Sequence, residues 1–211
     1  MAYPPIMGIQ RPATRARLAG LTAVAALALG ACGSSSSTTA TDPAAADSSS
    51  TPGSATQSPD VTPASGPMLS AGRFSFRAPQ GWADVTDRAQ TGVVLSAANP
   101  TDENPLMIIV RHRAHAPSSV AAAAKAAARM LAAADGTGIK TRPATMVGGN
   151  QAAHVVATQA KPGTHYQLDA YYVLTGKDAW VIMFATNQFT TPSHRDAMLA
   201  SVLATCHWAS A

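Results

Sequence analysis

Between residues 137 and 185 the chain runs as four apolar-patterned segments separated only by turn signals, and this stretch constrains the fold more than any other feature of the sequence. Residues 139–147 and 152–159 are divided by Gly148-Gly149-Asn150, a hairpin signal because tight two-residue turns need positive φ. Pro162-Gly163 marks the next reversal and Gly176-Lys177-Asp178 the one after it. Links this short cannot carry a crossover, so the segments are expected to be neighbours in an antiparallel sheet. His165 to Leu174 alternates, with Tyr166, Leu168, Ala170, Tyr172 and Leu174 on one face. Trp180 to Ala185 is apolar on both faces, which predicts a central strand covered from both sides.

Two helices are expected to cover that sheet. The run VAAAAKAAARMLAAAD follows Pro117-Ser118-Ser119, with a serine as N-cap. Val120, Ala123, Ala127, Met130, Leu131 and Ala134 form its inward stripe, Lys125 and Arg129 lie outside it, and Gly136 is expected to end it. Alanine supplies little apolar area, so such a helix is held by close approach to the sheet. The second helix is expected from Ser193, with Asp196 three residues later as a variant capping box and Leu199, Val202, Leu203 and Cys206 on one face. Ahead of the first helix come three strands. Arg73-Phe74-Ser75-Phe76 alternates and is broken by Pro79-Gln80-Gly81 before Trp82. Val93-Val94-Leu95 is the second. Leu106 to Arg113 is the third, with Met107 and Ile109 on one side and Leu106, Ile108 and Val110 on the other. The order β-β-β-α-β-β-β-β-α predicts an α+β domain: an antiparallel β-sheet of about six to seven strands flanked by helices on both faces, an α/β/α sandwich.

The first third of the chain cannot join that core. Residues 33–66 are mostly Ser, Thr, Ala, Pro and Gly with almost no large apolar side chain, a composition expected to stay unfolded and serve as a tether. Its Ser/Thr density with proline also permits O-glycosylation. Upstream, Arg11, Arg15 and Arg17 precede an apolar run from Leu18 to Leu29, which is too short to span a bilayer. Leu29-Gly30-Ala31-Cys32 then resembles the bacterial lipobox: small residues let an extended chain enter a narrow peptidase cleft, and the Cys32 sulfur takes the lipid. The expected organisation is a lipoprotein signal peptide over 1–31, lipidated Cys32 with its tether over 32–66, and one domain over 67–211, anchored at the extracytoplasmic face of the cell membrane. Removing residues 1–31, which hold three arginines and no acid, takes the formal charge from +4 to +1. No basic patch remains to argue for nucleic acid. Cys206 is left as the domain's single thiol, read as a small buried hydrophobe.

No constellation specifies a reaction, and no metal, cofactor or catalytic residue is expected. Glu103 is the only glutamate. Asp84 with Asp87 reads as a pair of turn formers, and Asp169 with Asp178 is the other aspartate pair. His112 and His115 are spaced to opposite faces of a strand end. His154 and His165 flank the Pro162-Gly163 turn and would form a two-histidine site only if their strands bring them together; a satisfied or exposed pair is the plainer reading. His194 and His207 are placed in the first and last turns of the second helix. Gly136-Thr137-Gly138 leads into a strand, whereas a phosphate cradle leads into a helix. Met68, Met107, Met130, Met146, Met183 and Met198 suit either an adaptable groove or an ordinary core. The same two readings hold for Tyr166, Tyr171 and Tyr172.

RFSFRAPQGW, the alanine-rich helix after the third strand, and GKDAWVIMFAT followed by a capped helix together resemble the actinobacterial LpqN-type lipoproteins, within the wider group of PsbP, Mog1 and DcrB-like domains. Pro79, Gly81 and Trp82 match the corner after the first strand, and Trp180 the aromatic of the strand before the last helix. The resemblance covers residues 68–208. It implies an antiparallel sheet between helices and a non-enzymatic role in envelope biology. The expected function is therefore a non-catalytic binding or accessory module that engages a membrane-protein partner or an apolar envelope molecule. The alternatives are a small-ligand receptor for a transporter and an envelope hydrolase.

Overall fold

The computed structural model describes residues 61–100 and 105–209. The expected lipobox Leu29-Gly30-Ala31-Cys32, the expected signal segment, residues 33–60 of the expected tether and Glu103 lie outside the described residues.

Ten strands and two helices are present among the described residues: β1 (Met68–Ala71), β2 (Phe74–Arg77), β3 (Ala83–Asp84), β4 (Leu95–Ala98), β5 (Met107–Arg113), α1 (Val120–Ala133), β6 (Thr137–Val147), β7 (Asn150–Lys161), β8 (Thr164–Thr175), β9 (Asp178–Asn187), α2 (Pro192–Leu203) and β10 (His207–Trp208). Seven strands form one sheet in the order β3-β4-β5-β9-β8-β7-β6, and β1-β2-β10 form a second, smaller one. Every pairing is antiparallel. Gly148 and Gly149, at φ 51° and 80°, close the β6–β7 hairpin in the left-handed conformation that twisted two-residue turns require. Strand β9 lies mid-sheet, as its two-sided apolar pattern predicts.

The faces of the large sheet are covered differently. On one, Ala123, Ala127 and Leu131 of α1 pack on Ala153, Val155, Ala157, Leu168, Ala170, Tyr172 and Val181. On the other, Leu69, Phe74 and Phe76 of the small sheet join Met198, Leu199 and Val202 of α2 over Trp180, Ile182 and Phe184. Helices thus lie on both faces as expected, but the second layer is a helix and a sheet together. Phe74 is its hub, with ring centroids 5.0 Å from Trp180 and 4.8 Å from Trp208.

Several local expectations need correction. Strands β1, β3 and β10 were not anticipated; each is two to four residues long and is defined by its partner more than by its own pattern. The second expected strand begins at Leu95, after Val93-Val94. Helix α2 is capped by Thr191, whose hydroxyl accepts from the His194 amide, with Pro192 in the first turn; Ser193 is already helical, and Asp196 pairs with Arg195 in place of closing a capping box. His207 lies in β10, beyond the helix. Helix α1 has its N-cap at Ser119 as expected, accepting from Ala122. Its end, however, places Asp135 at φ 60°, and Gly136 follows. The amides of Asp135 and Gly136 donate to Ala132 and Leu131, a Schellman pair with aspartate where glycine is usual. Packing also reaches back past residue 66: Ala64 is buried in the core, and its amide donates to Ser201 of α2.

Candidate functional site: a polar groove beneath α2

The two-residue turn at Pro162-Gly163 sets the register of β7 on β8. Counting out from Lys161 opposite Thr164 puts His154 opposite Tyr171 and Val156 opposite Asp169. On the other side of β7, Arg142 of β6 faces His154. Residues opposite one another share a face, so Arg142, His154 and Tyr171 form one row and Val156 and Asp169 the next, all turned away from α1. Helix α2 makes its closest packing with β2 of the small sheet, which leaves a hollow of about 810 Å³ between α2 and this part of the large sheet. Arg195, Leu199 and Leu203 line it from the helix, and Met146 from the end of β6.

Its floor is an organised polar cluster. Asp169 is 4% exposed, and its Oδ1 lies 2.9 Å from His154 Nε2. Its Oδ2 accepts no hydrogen bond; Arg195 Nε stands 3.9 Å away, too far to donate. The Arg195 guanidinium instead donates through Nε and Nη2 to Asp196 Oδ1, at 3.0 and 2.9 Å. The His154 ring lies parallel on Tyr171, centroids 4.3 Å apart and planes 11° apart. Burial first, then the charge of Asp169, holds the Tyr171 phenol well above its ordinary range, so it stays protonated at any physiological pH. Arg142 is exposed, and among the described residues its side chain makes no hydrogen bond or ion pair. The groove therefore offers a buried carboxylate with one idle acceptor oxygen, two guanidiniums and a fixed imidazole, beside an apolar strip.

The two pairings that a site would have needed, His154 with His165 and Asp169 with Asp178, do not form. His165 sits opposite Ala160, well down the strand from His154, so no two-histidine site exists; His154 is held by Asp169 instead. Asp169 and Asp178 are also apart, because Asp169 faces Phe184, six residues along β9 from Asp178, about 20 Å at strand rise. Asp178 Oδ2 lies 3.4 Å from His112 Nε2 and 3.8 Å from Arg73 Nη2, a cluster nearer the surface. Asp84 is a turn former as read, accepting from the Thr86 amide. Cys206 is buried, and its thiol is pushed up to about 12 by desolvation, which fits the hydrophobe reading. The methionines divide: Met198 is buried, whereas Met146 at the groove rim and Met68 beside a second hollow of about 520 Å³ are 59% and 64% exposed. Asp169, Arg142 and Arg195 were not singled out as a set. Register counting from Pro162-Gly163 was the available signal for Asp169 and His154; nothing local announces that α2 would bring Arg195 to them. Among the described residues no group of three or more His, Cys, Asp or Glu could hold a metal ion, and no helix is long and apolar enough to cross a membrane.

No protein family matches the chain, and no curated protein matches it. Among solved structures, it is similar to LpqN of Mycobacterium tuberculosis, described as involved in cell envelope biogenesis, at 14% identity and a TM-score of 0.48 over 65% of this chain and 83% of that one. It is similar to the cyanobacterial PsbP of Synechocystis sp. PCC 6803 at 12% identity and a TM-score of 0.46, over 68% of this chain and 92% of that one. A Bacteroides thetaiotaomicron protein matches at 18% identity and a TM-score of 0.47 over 69% of this chain, which spans about half (49%) of that protein's length. Likenesses of this size transfer no activity.

Proposed function

We propose that the chain is a lipid-anchored extracytoplasmic module of the cell envelope, with a PsbP/Mog1-like domain of the LpqN type that binds and does not catalyse. Cys32 would carry the lipid after cleavage of the Leu29-Gly30-Ala31 lipobox, and the tether would hold the domain above the membrane surface. The observation that carries the binding reading is the groove. His154 and Asp169 form an oriented acid–base pair, yet no serine or cysteine is among the residues lining it. The groove's hydroxyls are those of Thr145 and Tyr171, and His154 hydrogen-bonds to Asp169 and to neither of them; an imidazole–carboxylate pair with no nucleophile bonded to it is a recognition device more readily than a hydrolase centre. Its open form, between a sheet and one helix of a single domain, also suits a partner or ligand exchanged at a surface better than one enclosed between two lobes.

Two measurements test this. Cys32→Ala should move the chain out of the membrane fraction. A photo-crosslinking residue at Met146 should yield a discrete adduct in living cells that Asp169→Asn removes. A purified chain that turns over a substrate, with the turnover abolished by His154→Ala, would overturn the non-catalytic reading.

A further inference from the structure

We infer that the groove beneath α2 receives a zwitterion of the aminoalkyl phosphate class, its protonated amine on Asp169 and its phosphate on Arg142; this rests on reading the groove as a binding site. The first observation is Asp169 itself. The residue is 4% exposed and lines the groove, and its Oδ2 has no hydrogen-bond donor. A buried acceptor left without a donor is costly, and a charged one more so. A ligand that supplies the donor relieves that cost, and an ammonium does so with a charge-assisted bond. Arg195 does not fill this place: it stands 3.9 Å off, and its donors are directed at the exposed Asp196.

The second observation is the mixture of charges. The lining holds Asp169 and Asp196 together with Arg142 and Arg195. A bare cation at Asp169 meets the Arg195 guanidinium 3.9 Å from that carboxylate, and a bare anion at Arg142 leaves the Asp169 oxygen without a donor. A molecule that carries both signs satisfies both ends. Arg142 and Asp169 are separated by β7 and offset by one row, so their backbones lie about 12 Å apart, two strand spacings across and two residues along. An extended arginine side chain can cover much of that gap, so a ligand the size of ethanolamine phosphate can bridge the two groups. The guanidinium fork is matched to phosphate oxygens. Met146, Leu199 and Leu203 beside the cluster leave an apolar track for the carbon skeleton. The same chemistry is offered by a soluble aminophosphate and by a lipid headgroup.

The test titrates the whole chain in detergent micelles, by calorimetry, with glycerophosphoethanolamine, glycerophosphate, ethanolamine and lysophosphatidylethanolamine. The zwitterion is expected to bind at least tenfold more tightly than either half. Asp169→Asn should lose tenfold or more, and Arg142→Gln severalfold. Binding of the lyso-lipid alone identifies a lipid headgroup as the source; equal binding of the soluble form identifies a free aminophosphate. The inference is overturned if neither zwitterion binds, if glycerophosphate binds as well as the zwitterion, or if both variants keep full affinity. Should Asp169→Asn fail to fold by circular dichroism, Arg142→Gln on the exposed edge strand decides alone. Silence toward all four probes removes this ligand and leaves the binding reading to the crosslinking experiment. Release of ethanolamine or phosphate from a probe overturns the non-catalytic reading instead.

Discussion

Strands β7 and β8 carry two surfaces built to opposite specifications from alternate residues of the same segments. Toward α1 they present Ala153, Val155, Ala157, Leu168, Ala170 and Tyr172, met by the alanines of the helix. Toward α2 they present His154 and Val156, then Gln167, Asp169 and Tyr171. The first face lets helix and sheet approach closely and excludes water. The second is held apart from its helix by a hollow and keeps a buried carboxylate half satisfied. One face spends its residues on dispersion and burial, whereas the other retains polar groups whose desolvation weakens the fold. Such a concession at an open groove is what a recognition surface requires, and stability has to come from the dry face.

That division is broken most directly at Leu131. It is fully buried and is the largest side chain α1 sends into the sheet among smaller alanines. Leu131→Ala should cost about 2–5 kcal/mol, read by urea denaturation, because neighbouring alanines cannot collapse into the void. A cost below 1 kcal/mol would mean that α1 is not the packed side. On the wet face the expected effect is smaller. His154→Phe keeps a ring on Tyr171 but strips Asp169 of its one hydrogen bond, at about 1–3 kcal/mol. Adding Asp169→Leu to His154→Phe should recover much of that loss, since removing both polar partners costs less than orphaning one. A double mutant no more stable than the single one would show that the pair does not act as a unit.

The dry face was largely legible in the sequence and the wet one only in part, for a physical reason. The stripe Tyr166, Leu168, Ala170, Tyr172 and Leu174 declares a buried face by period alone, and α1 follows from helix propensity and a serine cap. The complementary stripe, Gln167, Asp169, Tyr171, carries no such signal, because a polar alternate face ordinarily means solvent. Its meaning depends on the register of β7 and on where α2 lies, which are set by the turn at Pro162-Gly163 and by the small sheet. The small sheet itself was hidden, because β1 and β10 exist only as partners of β2. A site joining His154 to His165 depended on that register, and counting along the hairpin puts His154 opposite Tyr171.

The α2 face also responds to alkali. Cys206 belongs to its core, and burial raises the thiol from an ordinary value near 9 to about 12. The folded state then holds its proton where the unfolded state releases it. Stability from this group is intact below pH 9 and declines as pH rises from about 9 toward about 12. By pH 10 the loss is about 1 kcal/mol. Tyr171 is raised for the same first cause, but its ordinary value of 10 delays its contribution. Urea midpoints between pH 8 and 10 should fall for the native chain and stay flatter for Cys206→Ala. Parallel slopes would remove Cys206 as the cause. The thiol should also resist iodoacetamide in the folded protein and react once urea unfolds it.

The smallest effect sharpens how α1 is fastened to the dry face. Asp135 holds the left-handed position after the helix at φ 60°, and Gly136 follows it. A side chain at Gly136 would bring its Cβ within 2.7 Å of the Leu131 carbonyl, so glycine there serves close approach and the left-handed strain falls on Asp135. That conformation costs most L-residues roughly 1–2 kcal/mol, less for Asp or Asn. Asp135→Gly removes the strain but gives the unfolded chain more freedom, at about 0.5–1 kcal/mol, so the net gain should be only a few tenths of a kcal/mol. Asp135→Asn keeps the side-chain bulk, tolerates the conformation, and takes a negative charge away from a helix C-terminus, where the dipole disfavours it by about 0.3–1 kcal/mol. Asparagine should therefore stabilise at least as much as glycine, a ranking that paired melting curves read directly. If glycine gains clearly more than asparagine, backbone strain dominates this cap; if asparagine gains more, the charge does, and the helix end nearest the sheet is limited by electrostatics.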